Sequence, residues 1–295
     1  MNKKKILVVG GTGYLGRHLI NSFDESHFDI TFTGTRHNND NRCNIVLFED
    51  EKTYLNLSQN YYDFVIILAS KMNALGSLKL NHEDLFTNTI PYANFLQYLS
   101  DNKLTKKIIY VSSMTVYSKD NKSPVREDAI INPPNTYGLS KYIAELLTNF
   151  HTQNSKINSV VIRIPGIYGG DRKNGYIYNS MMKLKNNETI IMDTRNLVYW
   201  ETINIQDLVE IVINFIVDYD WKNTFDIFNI SYGEETDIYK TVLFLKKQFS
   251  SNSIIKEENK KGYAPIYLSN NKIKKYCNIK CDYYSSLKKY IKAFQ

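Results

Sequence analysis

The feature that most constrains the fold is a glycine-rich turn near the start of the chain, GGTGYLG at residues 10–16. It follows the apolar run ILVV and precedes an amphipathic segment with helical periodicity. Glycine permits a tight turn and lets backbone N–H groups approach a pyrophosphate, whose charge the following helix N-terminus stabilises. A strand, this turn and a helix in that order predict a dinucleotide site. The residues expected to contact the dinucleotide here are Gly10, Gly13, Tyr14, Leu15 and Gly16.

The end of the second predicted strand, ITFTG, bears on which dinucleotide binds. Proteins that bind NAD commonly place a carboxylate about 20 residues after the glycines, where it hydrogen-bonds the adenosine ribose. Gly34, Thr35 and Arg36 stand there instead, so no acid repels a 2′-phosphate and an arginine can bind one. This favours NADP(H) over NAD(H). The other interpretation is that Arg36 stacks on adenine or is simply solvated.

Apolar runs rich in β-branched residues alternate with amphipathic segments through the first half of the chain. In order they are ILVV, YLGRHLINSF, ITFTG, NIVLF, FVIILA, a helix near 82–101, IIYVSS, a helix from 137 and VVIRI. This alternation predicts an α/β fold of Rossmann type, a doubly wound parallel sheet with helices on both faces.

The regular alternation of strands and helices ends after RIPGIYGG. From there, shorter predicted strands separate helical segments near 175–186, 206–219, 235–249 and 283–294. We therefore expect a dinucleotide-binding domain at 1–165 and a smaller C-terminal α/β substrate-binding region at 166–295. Some of the later strands are expected to return to the first domain.

The composition narrows the class of protein. With 43% apolar and 23% charged residues, the chain can bury an ordinary globular core. No apolar run approaches the roughly 20 residues that span a bilayer, and the run after MNKKK is too short for a signal peptide. The 3 cysteines have no histidine partners and are expected to be free thiols, with no metal site. Because the run after MNKKK is too short for a signal peptide, we expect a cytoplasmic protein. The +7 net charge comes from scattered lysines, so we expect no nucleic-acid partner.

Tyr137 and Lys141 form one of three Tyr-x-x-x-Lys pairs in the chain, about as many as chance supplies. This pair follows PPNT, which predicts a helix start. On that helix the two side chains lie on one face with Cβ atoms about 5–6 Å apart. The opposite face carries an apolar stripe of Leu139, Ile143, Leu146, Leu147 and Phe150. A nearby ammonium would lower the pKa of Tyr137 and let it exchange protons near neutrality. The alternative is two solvated side chains on an exposed face.

Five segments in order, GGTGYLG, DFVIILAS, YVSSMTVYS, YGLSK and RIPGIYG, resemble the extended short-chain dehydrogenase/reductase family, in its NAD-dependent epimerase/dehydratase group. INIQDLVEIV and NNKIKKY are also similar to family segments, so the resemblance covers nearly the whole chain. It implies a catalytic set of Ser113, Tyr137 and Lys141. In this set Ser113 hydrogen-bonds the substrate oxygen, Tyr137 exchanges its proton and Lys141 also holds the nicotinamide ribose. Ala69 is a further implied cofactor contact.

Departures from the family pattern limit the reaction. The 4,6-dehydratases carry an Asp-Glu pair where this chain has Met114-Thr115, so the acid and base for water elimination are missing. Gly166 and Trp200 stand where many sugar-nucleotide members have a substrate-contacting Asn and Arg. The residues that could take over a diphosphate contact are Arg172 and Arg195.

Together these features predict an NADP(H)-dependent reductase of a keto group on a nucleotide-activated sugar, specifically a 4-keto-6-deoxyhexose nucleotide. The alternatives are an NAD-dependent nucleotide-sugar 4-epimerase and a non-catalytic dinucleotide-sensing protein, against which the intact catalytic set argues. The resemblance also implies a homodimer formed by the helices near 82–101 and 137–150. Phe95, Leu96 and Leu99 are expected to contribute with the apolar stripe, unless these residues only cover the sheet.

Overall fold

The computed structural model describes residues 3–35, 40–46, 50–70, 82–193, 198–258 and 264–294. It divides into two compact units. The first comprises Met1–Ser118, Ile130–Ile164 and Ile213–Phe228, and the second comprises Lys119–Ala129, Pro165–Val212 and Asn229–Gln295. The chain therefore leaves the first unit after Ser118 and after Ile164, and it returns to this unit at Ile130 and at Ile213.

The first unit is built on a seven-stranded sheet. Its strands are β1 (Lys4–Val9), β2 (Phe28–Gly34), β3 (Cys43–Ile45), β4 (Phe64–Ile67), β5 (Lys107–Ser113), β6 (Asn158–Ile164) and β11 (Phe225–Asn229). They lie in the order β11-β6-β5-β4-β1-β2-β3, and β1 to β6 pair in parallel. The predicted Rossmann-type fold is confirmed. The late strand β11 lies at one edge, beside β6.

The helices of this unit are α1 (Tyr14–Ser22), α2 (His82–Asp101) and α3 (Thr136–Asn154). The central strands β1 and β4 are buried almost completely, which is why ILVV and FVII read as continuous apolar runs. Leu7, Val65 and Val161 of the sheet share one buried cluster with the α2 residues Tyr92 and Phe95. The core of the unit therefore includes the space between the sheet and α2.

The second unit contains three two-stranded parallel sheets. Its strands are β7 (Gly166–Tyr168), β8 (Ile190–Asp193), β9 (Val198–Trp200), β10 (Thr202–Asn204), β12 (Ile255–Glu258) and β13 (Ala264–Ile266). They pair as β7 with β10, β8 with β12 and β9 with β13. The remaining helices are α4 (Tyr176–Lys185), α5 (Ile205–Asp218), α6 (Ile238–Phe249) and α7 (Tyr283–Phe294). Only the first part of α5 belongs to this unit, because Ile213 begins a segment of the first.

A buried carboxylate, Glu201, connects three segments of the second unit. It is 0% exposed and lies between β9 and β10. It accepts hydrogen bonds from the backbone N–H of Leu268 (2.9 Å) and Tyr232 (3.2 Å) and from Ser231 Oγ (2.6 Å). Burial raises its pKa to about 8, although these donors oppose that shift. Glu201 therefore takes a structural part in holding the strands of this unit together.

Apolar residues of α2 and α3 divide between the core and the surface. Phe95, Leu96 and Leu99 are at most 1% exposed, so the prediction that they contact a second subunit is wrong. Their side chains fill the space against the sheet instead. Two residues of the apolar stripe on α3 are exposed instead, Leu146 by 50% and Phe150 by 66%. That part of the stripe does not cover the sheet.

The three cysteines, Cys43, Cys277 and Cys281, are free thiols, as predicted. Within the described ranges, no helix combines the length and the apolar character needed to cross a bilayer.

Candidate active site

A pocket of about 390 Å³ lies in the first unit around the carboxyl ends of β1, β2 and β4. The strand order reverses between β1 and β4, which is where open α/β sheets bind their ligands. The residues that line this pocket include Gly10, Gly13, Gly34, Thr35, Ala69, Ser70 and Tyr110. The pocket therefore joins the glycine turn to the strand that carries the predicted catalytic serine.

The glycine turn has the shape that a pyrophosphate requires. Gly10 has φ +87°, and a Cβ at this position would lie 2.8 Å from Ala69 N. A Cβ on Gly16 would collide with Gly10 O and lie 2.6 Å from Gly11 Cα. Gly13 lines the pocket, and no side chain caps the first turn of α1 that follows it. The turn thus leaves a helix N-terminus available to an anion, and the residues present fit a dinucleotide.

The remaining predicted cofactor contacts have different positions. Tyr14 and Leu15 form the first turn of α1 with Gly16, whereas Ala69 lies in the pocket wall. Gly34 and Thr35 line the pocket at the tip of β2. Arg36, the predicted 2′-phosphate contact, lies outside the described residues.

Adjacent elements of the first unit carry the predicted catalytic residues. Ser113 ends β5, and its Oγ accepts hydrogen bonds from Thr115 N (3.2 Å) and Thr115 Oγ1 (2.9 Å). Tyr137 and Lys141 lie in the first turns of α3, which packs against β5 and against the turn that follows it. The Asn135 side chain caps the helix by accepting from Gly138 N (2.8 Å), as the predicted helix start requires.

Lys141 is buried in this arrangement, with only 3% of its surface exposed. Its Nζ donates to Val111 O at 2.9 Å and lies 4.9 Å from the centre of the Tyr110 ring. Burial lowers the pKa of Lys141 to about 7, and the Glu145 carboxylate opposes this shift. The interpretation of Lys141 as a solvated side chain on an exposed face is therefore wrong.

The pKa of Tyr137 shifts in the direction opposite to the one expected from Lys141. Burial of the hydroxyl raises it to about 12, although a hydrogen bond with Ser70 opposes the change. Lys141 Nζ lies 5.9 Å from the centre of the Tyr137 ring, and its own pKa near 7 leaves it only partly charged at neutral pH. Desolvation is therefore the largest cause of the shift in the Tyr137 pKa. Tyr137 is a neutral phenol that has a proton to give.

One residue that brings α3 to the site was not singled out from the sequence. Gly138 follows Tyr137, and a Cβ there would collide with Thr115 O and lie 3.1 Å from Pro133 Cβ. Only glycine lets the first turn of α3 approach so close to the turn after Ser113. The glycine of YGLSK was the available signal.

Among the described residues, the predicted substrate contacts other than Ser113 lie in the second unit. Gly166 starts β7 opposite Thr202, whose Cγ2 would lie 3.3 Å from a Cβ on this glycine. Arg172 donates to Ile167 O (3.0 Å) and Asn174 Oδ1 (2.6 Å), and it lines a pocket of about 450 Å³ within this unit. Trp200 ends β9, but its side chain lies outside the described part of the chain, as does Arg195.

The family model and the similar proteins of known name agree on one family. The model of the NAD dependent epimerase/dehydratase family matches residues 6–231. A putative UDP-glucose 4-epimerase of Methanocaldococcus jannaschii is 26% identical over 282 residues, 89% of each chain. A dTDP-4-dehydro-6-deoxyglucose reductase of Escherichia coli is 26% identical over 275 residues, 86% of this chain and 84% of the reductase.

A solved structure shows the same fold with a cofactor present. It is the enzyme WbmG of Bordetella bronchiseptica in complex with NAD, 16% identical and with a TM-score of 0.81. The similarity covers 99% of this chain and 94% of WbmG. The fold of the whole chain is thus that of an enzyme known to bind NAD.

Proposed function

The chain belongs to the NAD-dependent epimerase/dehydratase family, and from that premise we propose that it reduces a keto group on a nucleotide-activated deoxysugar, with NADP(H) as its cofactor. The observation that carries the proposal is the tip of β2, where Gly34 and Thr35 line the dinucleotide pocket and present no carboxylate to a 2′-phosphate, which suits a reduced cofactor that is exchanged in every turnover. Reduction of a carbonyl needs a proton donor at the oxygen. Tyr137, whose pKa burial raises to about 12, retains its proton at neutral pH and can supply it.

In this proposal the reduced nicotinamide supplies a hydride to the carbonyl carbon when it is bound. The Ser113 hydroxyl oxygen accepts from Thr115, so its own proton is available to hydrogen-bond the substrate oxygen. Tyr137 transfers its proton to that oxygen as negative charge develops on it, which yields the alcohol. The Lys141 ammonium, when present, stabilises the phenolate that remains.

The tip of β2 supports NADP(H). Its described residues, Gly34 and Thr35, carry no carboxylate that would repel a 2′-phosphate. An NAD-dependent 4-epimerase is the second candidate. It is favoured by the similarity to a putative UDP-glucose 4-epimerase and to an enzyme solved with NAD.

A turnover assay on the purified protein separates the two candidates. A reductase exchanges its cofactor in every cycle, so we expect little bound NAD after purification and one NADPH consumed per alcohol formed from a 4-keto-6-deoxyhexose nucleotide. The matched control is the corresponding 4-hydroxy nucleotide sugar, which should consume none. A full complement of tightly held NAD, with interconversion of 4-epimers and no added cofactor, would establish the epimerase instead. Equal affinity for NADPH and NADH would contradict the choice of NADP(H).

We also propose that two copies of the chain associate through α2 and α3. These helices pack against each other and expose Phe86, Ile90, Leu146 and Phe150. Large apolar side chains on two neighbouring helices form a surface that a second copy can cover.

Substitution of Phe150 by lysine tests this association. We expect light scattering at micromolar concentration to give a dimer for the unsubstituted chain and a monomer for Phe150→Lys. Leu55→Lys is the control, because Leu55 is also apolar and is 62% exposed but lies in the short helix Glu51–Leu57. A monomeric unsubstituted chain would exclude the proposed dimer.

A further inference from the structure

A buried ion pair lies next to the catalytic residues and has no part in the mechanism described above. Arg163 of β6 donates to Glu145 of α3 through two nitrogens, Nε to Oε1 at 3.0 Å and Nη2 to Oε2 at 2.7 Å. Both side chains are at most 3% exposed. Removing two charges from water is costly, and replacing such a pair by apolar residues often stabilises a protein. Stability alone is therefore a weak reason for its presence.

The pair is connected to the strand that ends in the catalytic serine. Ser112 Oγ donates to Glu145 Oε1 at 2.5 Å, and Ser112 directly precedes Ser113. On the far side of the serine, the Arg163 guanidinium donates to Tyr117 OH at 2.8 Å and stacks 4.7 Å from the centre of its ring. Residues on both sides of Ser113 are thus held by the same two charged groups.

The pair is also connected to the catalytic lysine. Glu145 follows Lys141 by one turn of α3, and both side chains lie on the buried face of the helix. Lys141 Nζ donates to Val111 O, two residues before Ser113. The negative charge of Glu145 favours the ammonium form of Lys141, against the effect of burial.

We propose that Glu145 and Arg163 are positioning residues of the active site: the Glu145 carboxylate balances the Lys141 ammonium and, through Ser112, fixes the end of β5 that carries Ser113. This rests on the roles proposed above for Lys141 and Ser113. Arg163 orients the carboxylate through its two hydrogen bonds, Nε to Oε1 and Nη2 to Oε2. Arg163 acts through Glu145 and Tyr117.

Few other described groups near Lys141 carry a charge at neutral pH that could shift its pKa. The titratable side chains around it are Tyr110 of β5, Tyr137 and Glu145 of α3, and Tyr92 of α2, which packs on Tyr110 with ring centres 5.0 Å apart. Burial raises the pKa of all three tyrosines, so they are neutral between pH 6 and pH 8. Among these described groups, Glu145 with its partner Arg163 is the source of charge.

The test is the titration of Lys141 itself, followed by the Cε chemical shift in protein labelled with ¹³C-lysine. The Lys141 signal is identified by its loss in Lys141→Arg. In the unsubstituted protein we expect an inflection near pH 7, because burial lowers the pKa of Lys141 to about 7. The double variant Glu145→Gln/Arg163→Met removes both charges of the pair. We expect it to lower the pH of the Lys141 inflection by about one unit. Glu145→Gln alone should lower it further, because Arg163 then becomes an unpaired cation near the ammonium.

Thr148→Val is the matched control. Thr148 lies on the same buried face of α3 and bonds Tyr92 OH at 2.7 Å, so its loss loosens buried packing without changing charge. We expect its inflection to equal that of the unsubstituted chain. Urea unfolding of every variant confirms that it is folded, and the double variant avoids a buried unpaired charge if the single one fails to fold.

An unchanged Lys141 inflection in the folded double variant would overturn the proposal and leave the pair a structural ion pair only. The titration needs neither substrate nor cofactor. Its outcome is therefore independent of whether the chain is a reductase or an epimerase.

Discussion

A Tyr137→Phe variant is expected to lose turnover by roughly 10²- to 10⁴-fold, the range in which general acid catalysis contributes. The change removes one oxygen atom and keeps the ring that packs at the start of α3. In the proposed reaction the hydroxyl is the proton source for the substrate oxygen, and burial raises its pKa to about 12, so it is protonated at neutral pH. The measurement is the initial rate of NADPH consumption with saturating keto sugar nucleotide.

The same substitution at Tyr142 is the control, since Tyr142 lies on the same helix one residue beyond Lys141 and has no role in the proposed chemistry. Tyr142→Phe should retain the rate, and cofactor affinity should be unaltered in both variants. A near-normal rate in Tyr137→Phe would remove this residue from the mechanism. If cofactor affinity fell as much as the rate did, Tyr137 would be a binding group rather than the acid.

The elements around the dinucleotide pocket could be predicted because local sequence determines them. β1 is buried on both faces and therefore consists of a continuous apolar run. Gly10 and Gly16 occupy positions where a Cβ would meet neighbouring backbone, so the pattern of glycines follows directly from the geometry of the turn. A motif of this kind needs no knowledge of distant residues.

The environment of the catalytic pair could not be predicted, because it depends on contacts between distant parts of the chain. Helical periodicity places Tyr137 and Lys141 on one face of α3, but it does not show whether water or protein covers that face. The sheet covers it, which shifts the pKa of both residues in directions that spacing alone does not indicate. The apolar stripe opposite, at Leu146 and Phe150, is exposed instead. Leu147 of the same stripe packs against the core, so only part of the apolar face of α3 departs from the usual rule that this face points to the core.

The ion pair of Glu145 and Arg163 was missed for the same reason. Its members lie 18 residues apart on different elements, and each reads in the sequence as an ordinary charged residue. A Cβ at Gly166 would lie only 3.3 Å from Thr202 Cγ2, a tight contact that the sequence indicated only as a departure from the family pattern.

A Gly138→Ala variant is expected to lose turnover by about 10²-fold, which is the cost of misplacing reacting groups by roughly 1 Å. A Cβ at this position would collide with Thr115 O, so the first turn of α3 must move away from the turn after Ser113. Tyr137 and Ser113 lie on the two sides of this contact. Their relative position therefore changes although neither residue is altered.

The effect of Gly138→Ala on stability separates this explanation from helix propensity. Alanine in a helix is more favourable than glycine by about 1 kcal/mol, so propensity alone predicts stabilisation. Overpacking against a backbone carbonyl costs about 1–3 kcal/mol, so we expect urea unfolding to show a net loss of stability. Asn149→Ala, further along the same helix, is the control and should leave turnover unchanged. Greater stability with normal turnover in Gly138→Ala would mean that α3 does not need this close approach to place Tyr137.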